Sequence, residues 1–148
     1  MPFIRKATLQ DISRIAEILV FAKRTHYRAI FHDDAYSFGT MTVLSVAQEI
    51  MDHPDTLHQM WVYDDIFVKA VIQLDGAEIK TLYVDPFFKG EGIGTKLLSF
   101  AAEQNARWLW VLEKNEKAIH FYQTHHFQFT GERMRNAGTA EYIVKMKR

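Results

Sequence analysis

A strand-like run, a proline and three closely spaced glycines stand together in "LYVDPFFKGEGIGTKLL", Leu82 to Leu98. Gly90, Gly92 and Gly94 alternate with Glu91 and Ile93 and open into a helical pattern in which Ile93, Leu97, Leu98 and Ala101 share one face. No other stretch constrains the fold as strongly. Glycine has no Cβ, so the chain turns tightly there and its N–H groups come close to a ligand. The following helix adds unpaired N–H groups and a partial positive end. A strand, this turn, a helix and a further strand form one βαβ crossover, and its turn favours an anion.

The rest of the chain surrounds that crossover with antiparallel signals. Phe3 to Ala7 reads as a short strand. Thr8 stands three residues before Asp11, a capping-box-like start. Ile12, Ile15, Ala16, Leu19 and Val20 follow at helical spacing, which predicts a first helix from about Leu9 to Arg24. From Thr25 to Met41 the chain is aromatic, mixed and without a clean period, and reads as a loop or a broken helix. Ser45 to His53 reads as a second helix, stopped before Pro54. Strands are predicted over His58–Asp64, Ile66–Leu74 and Ala77–Val84, with turns at Asp64-Asp65 and Asp75-Gly76. The crossover helix runs from about Ile93 to Gln104 and the next strand from Arg107 to Glu113. Asn115 caps a helix through about Thr124, with Ala118, Phe121 and Tyr122 on one face. "FQFTGERMR" and "EYIVKMK" form a terminal strand pair, whose edge is a possible homodimer contact. The fold class is α/β (mixed α+β), one domain over residues 1–148. Its central sheet is twisted and mostly antiparallel, with about seven strands and about four helices.

Composition removes several function classes. Lys plus Arg and Asp plus Glu each total 18, which argues against a nucleic-acid partner. There is no cysteine, so disulfides, thiolate metal sites and a cysteine nucleophile are excluded. No apolar run approaches the roughly 18 residues of a membrane helix, and "MPFIRKATLQD" lacks the apolar core of a signal peptide. A soluble, cytoplasmic protein with no membrane partner is the expectation. The seven histidines form no H-E-x-x-H, and His120, His125 and His126 are not spaced for one helical face, so no metal is expected. His125-His126 reads as a helix end.

Three kinds of phosphate-binding turn compete for the glycines. A P-loop needs G-x-x-x-x-G-K-[ST], but Gly94 is followed by Thr95 and then Lys96. A dinucleotide fingerprint needs G-x-G-x-x-G, but its last position falls on Thr95 or Leu97. It also belongs in a first βαβ unit of a parallel sheet. The third is the acetyl-CoA loop of the GCN5-related N-acetyltransferases. "LYVDPFFKGEGIGTKLL" resembles that family's pyrophosphate signature, a strand ending in Val, a Pro, then Gln/Arg-x-x-Gly-x-Gly/Ala. Lys89 holds the Gln/Arg position, a departure that keeps a charge but not the planar fork of Arg. "VLEKNEKAIHFYQTHHF" resembles the family's Asn-x-x-Ala-x-x-Phe-Tyr-x-x-x-Gly-Phe, matched by Asn115, Ala118, Phe121, Tyr122 and Phe127. His126 stands at the glycine position. The order of elements is also similar to the family fold.

The resemblance implies acetyl transfer from acetyl-CoA, as cosubstrate, straight to a primary amine of a small molecule or peptide. Such a site needs a base, an oxyanion donor and an acid. Tyr122 is the implied acid at the CoA sulfur; its plain alternative is a core aromatic beside Phe121. Glu78, eleven residues before Lys89 as in the histone-type members, is the candidate base, directly or through water. Its plain alternative is an exposed carboxylate at a strand start. Strand alternation places it with Lys80, Leu82 and Val84, away from Ile79, Thr81 and Tyr83. Leu82, Tyr83 and Val84 would offer backbone groups to the pantetheine and the thioester oxygen. Lys89, Gly90, Glu91, Gly92, Ile93, Gly94 and Thr95 would hold the diphosphate. Asn115 would contact the pantetheine arm, or simply cap its helix. His26, His32, Asp33 and Asp34 fall where relatives build the acceptor lip, with the two aspartates as candidates to attract an amine. A non-catalytic acyl-CoA-binding module with a regulatory role is the alternative function.

Overall fold

This computed structural model of the chain describes residues 2–31 and 42–148, with residues 24–31 described through their helical backbone alone. Its elements are β1 (Phe3–Lys6), α1 (Ile12–Phe31), α2 (Val43–Asp52), α3 (Pro54–His58), β2 (Met60–Asp65), β3 (Phe67–Asp75) and β4 (Glu78–Val84). There follow α4 (Ile93–Glu103), β5 (Trp108–Leu112), α5 (Glu116–Thr124), β6 (Gln128–Arg135) and β7 (Tyr142–Lys147). The strands form one sheet of seven in the order β1-β2-β3-β4-β5-β7-β6. It is antiparallel everywhere except between β4 and β5.

The predicted architecture holds, with three local corrections. Helix α1 continues without a break to Phe31, through residues read as the start of a loop or a broken helix. Helix α2 ends at Asp52 as expected, but Pro54 then opens the extra helix α3. Proline has no N–H to lose in a first helical turn, so it starts a helix as readily as it stops one. The next strand is thereby delayed from His58 to Met60. The turn expected at Asp64-Asp65 is centred instead on Ile66, which is 97% exposed and has φ 71°. Asp65 pairs directly with Phe67 across it, and Lys69 is the extra residue of an adjoining β-bulge.

Helices cover both faces of the sheet's centre. Strand β3 therefore buries Val68 through Ile72 without alternation. Lys69 is tolerated within that run because its ammonium pairs with Asp65 at 3.0 Å. On one face Ile12, Ile15, Ile18 and Leu19 of α1 and Ile50 of α2 pack on Val62 and Val71. On the other, Ile93, Leu97, Leu98 and Ala101 of α4 pack on Ala70, Ile72, Leu109 and Met146. These four α4 residues are the stripe predicted from spacing. Each buried Leu or Ile contributes about 2 kcal/mol, which seats α4 firmly behind the glycine turn.

The entry to α1 is held by a charged knot. Asp11 accepts the Thr8 backbone N–H at 2.7 Å and both Arg5 Nη groups, at 2.8 and 2.9 Å. Arg5 Nε reaches Asp64 of β2 at 3.0 Å. One guanidinium thus ties the first strand, its neighbour and the helix start. The Arg5 hydrogen bonds hold the Asp11 carboxyl below the usual carboxylate range.

Candidate functional site

Strands β4 and β5 pair only at Glu78–Trp108 and Ile79–Leu109, then diverge. From Thr81 to Val84 the β4 backbone keeps β3 on one side and, among the described residues, has no strand on the other. A cleft of about 750 Å³ opens there. Leu82, Tyr83 and Val84 line it from β4, and Asn115 and Tyr122 line it from the α5 segment. Backbone groups left over by diverging strands need partners, and a ligand with amides can supply them.

The glycine turn closes one end. Gly90 and Gly92 lie at φ 87° and 77°, conformations that glycine adopts without a Cβ clash, and Gly92 is the N-cap of α4. Gly94 serves differently. A Cβ there would stand 3.0 Å from Phe121 Cζ, so its absence lets α5 close on α4. Lys89, Gly90, Gly92, Ile93, Gly94 and Thr95 all line the cleft. Glu91 is exposed and is not among the lining residues. The Thr95 hydroxyl meets His125 Nε2 at 3.0 Å, while His125 Nδ1 bonds to Phe121 O at 2.8 Å. His125, the C-cap of α5, therefore joins the end of that helix to the start of α4.

Asn115 caps its helix, as the plain reading had it, and lies at the cleft. Its Oδ1 accepts the Ala118 N–H at 3.1 Å. Tyr122 packs edge-to-face on Phe121 and Phe127, at 5.5 and 5.6 Å between centroids. Its hydroxyl makes no hydrogen bond to the described residues. Burial raises its pKa to about 12, so the phenol keeps its proton throughout the neutral range.

His126 follows with φ 73°, the left-handed conformation that glycine would adopt at this position. The turn survives the change of residue at the cost of strain. His126→Gly is expected to stabilise the fold by about 0.5–1 kcal/mol, after the greater chain entropy of glycine is counted. Thermal unfolding should register a rise of about 2 °C. An unchanged or lowered midpoint would show that this backbone is unstrained.

Glu78 is placed differently from the sequence expectation. Gln73 pairs with Thr81 and Leu74 with Ile79, which leaves Lys80 as the extra residue of a bulge. The bulge shifts the alternation, so Ile79 joins Leu82 and Val84 on the α4 side. Glu78 consequently takes the opposite face and does not line the cleft. Burial raises its carboxyl pKa, with Lys80 and Lys145 acting against the rise and Asp75 with it.

Two features escaped the sequence reading. Asp85 caps the turn at Phe87 N, at 2.9 Å, and Arg14 of α1 holds Asp85 at 2.7 Å. The Asp-Pro step at Asp85 was the legible signal for the cap; nothing in the sequence marked Arg14 as its partner. The other is Lys23 of α1, which lines the cleft. The side chains of His26, His32, Asp33 and Asp34 lie outside the described residues. Among the described residues no group of three or more His, Asp or Glu is gathered to hold a metal, and no helix is long and apolar enough to cross a membrane.

A crossover helix whose glycine-rich N-terminus faces a cleft between diverging strands has the geometry that suits an anionic ligand. The sequence profile described as Acetyltransferase (GNAT) domain matches residues 56–129, and the chain belongs to that family. An uncharacterized N-acetyltransferase of Methanocaldococcus jannaschii is 41% identical over 63 residues, a match covering 38% of this chain and 28% of that protein. The chain thus spans little more than a quarter of that curated relative's length. Among solved structures, the apo form of YjaB from Escherichia coli has a TM-score of 0.78 at 20% identity, covering 99% of this chain and 97% of that one. The PaiA N-acetyltransferase of Thermoplasma acidophilum, in complex with coenzyme A, has a TM-score of 0.68 at 16% identity, covering 100% and 99%.

Proposed function

We propose that the protein transfers an acetyl group from acetyl-CoA directly to a primary amine of a small molecule or peptide. The observation that carries this reading is a single cleft holding both the glycine-turn N-terminus of α4 and Tyr122, whose hydroxyl has no hydrogen bond among the described residues. The cosubstrate supplies an activated acyl carbon and a thiolate leaving group. The amine nitrogen forms the new C–N bond as the C–S bond breaks. Gly90 and Gly92 present N–H groups to the diphosphate, with Lys89 as a nearby cation. The edge of β4 that diverges from β5, over Leu82, Tyr83 and Val84, pairs with the pantetheine amides and faces the thioester oxygen. Asn115 holds the pantetheine arm.

Tyr122 gives its proton to the departing sulfur. Glu78, outside the cleft, acts as base only by relaying the amine proton through water, and its raised pKa strengthens it in that task. Glu78→Gln is expected to remove the acid limb of the pH–rate profile. An unaltered profile would assign the base to water or to another group.

Ligand-dependent unfolding tests the reading as a whole. Coenzyme A at about 100 times its dissociation constant should stabilise the protein by about 2.7 kcal/mol, while ATP and NAD leave the midpoint unmoved. Stabilisation by ATP without any by coenzyme A would overturn the assignment. Binding of acetyl-CoA without transfer to any amine would favour the non-catalytic acyl-CoA module, in which the Tyr122 hydroxyl has no task.

A further inference from the structure

A second cavity, of about 510 Å³, lies on the α1–α2 side of the sheet. Lys23 and Thr81 line both this cavity and the cleft, so the two spaces meet at these residues. Glu49 and His53 of α2 and Gln73 of β3 also line the cavity. Two of its polar groups are already engaged. The Thr81 hydroxyl donates to Gln73 Oε1 at 3.3 Å, and Gln73 Nε2 donates to Gln59 Oε1 at 2.8 Å.

Lys23 is different. Its ammonium makes no hydrogen bond and no ion pair with any described residue, and approaches the Tyr83 ring only at 6.0 Å. The side chain is half-buried. Burial lowers its pKa from the ordinary lysine value, and the charge of Glu49 acts in the opposite sense. A cation drawn partly out of water, with the charge of Glu49 near but no hydrogen bond or ion pair among the described residues, is costly, and it sits here where the two spaces join.

Resting on the acetyltransferase reading above, we propose that the acceptor is an amine bearing a carboxylate on the adjacent carbon, the α-amino acid class, with Lys23 holding that carboxylate. Three observations fit together. The reacting nitrogen must reach the cleft at the junction, and a plain ammonium arriving there meets the like charge of Lys23. A carboxylate one carbon away reverses that interaction and offers the ammonium a direct hydrogen-bonded partner, which no described residue does. The cavity beyond has the volume for an amino-acid side chain, and Glu49 on its wall selects a side chain that offers a donor or a positive charge. Lys23 is thus a specificity-determining residue for the acceptor.

The test compares L-amino acids with their carboxamides and with simple alkylamines, each with acetyl-CoA and the full-length protein. The free acids should be preferred in kcat/KM by on the order of tenfold or more, the effect of one charge-assisted hydrogen bond. Lys23→Met should raise KM for the acids and bring the acid-to-amide ratio toward one; Lys23→Arg should keep the preference. The acid–amide comparison in the unaltered protein stands even if a variant folds poorly. Equal use of acids and amides overturns the proposal. So does a Lys23→Met variant that lowers kcat alike for both, since Lys23 would then act in the chemistry. If no amine of any of the three sets is acetylated, the acetyltransferase reading falls and takes this proposal with it. If amides or alkylamines are acetylated as well as acids, only the proposal about Lys23 falls.

Discussion

Tyr122→Phe is expected to lower turnover by about 100-fold while leaving coenzyme A affinity and thermal stability close to unchanged. The asymmetry follows from the surroundings of the hydroxyl. The ring packs on Phe121 and Phe127, and phenylalanine keeps that packing. The hydroxyl bonds to none of the described residues, so its removal orphans no partner among them. What is lost is a proton held ready at neutral pH by a group whose pKa stands at about 12. Steady-state kinetics paired with a coenzyme A titration make the check. Unchanged turnover would remove Tyr122 as the acid and leave it a core aromatic. A joint loss of affinity and stability would make its role structural.

Asp11→Ala should have the largest effect on stability. It removes a helix-start acceptor and leaves the Arg5 guanidinium with Asp64 as its remaining carboxylate. The expected cost is about 2 kcal/mol, the scale of a lost cap together with lost charge-assisted hydrogen bonds. The dependence on pH has a definite sign. The Asp11 pKa is lowered in the folded state, so its contribution is complete above the unfolded carboxyl pKa of about 4. It is lost as pH falls through the folded value. Denaturant unfolding of the two proteins should therefore show a constant gap at neutral pH that narrows on acidification. A gap that persists in acid would mean that the carboxylate charge contributes nothing.

Much of this molecule is legible along the chain because its signals are local. The stripe Ile93, Leu97, Leu98 and Ala101 is written at helical spacing, and all four residues are buried. Gly90 and Gly92 announce positive φ, and Asn115 announces a cap; each depends on a few neighbouring residues. Gly94 was legible as part of the turn, but its reason, the approach of Phe121, comes from a helix more than twenty residues away. Glu78 shows where local inference fails. Period-two alternation assumes an unbroken ladder, and the bulge at Lys80 arises from pairing with β3.

By itself, then, the sequence determined the kind of protein: one crossover in an antiparallel sheet, a glycine turn opening a helix, and a tyrosine on the helix beside it. These follow from backbone freedom and periodicity, which short stretches carry whole. Only the tertiary structure decided which face Glu78 takes, that β4 and β5 part after two pairs, and that Lys23 stands between two cavities with no hydrogen bond or ion pair among the described residues. Those outcomes depend on register and on contacts between distant segments, and the physics of a charge's surroundings is set only when those segments meet.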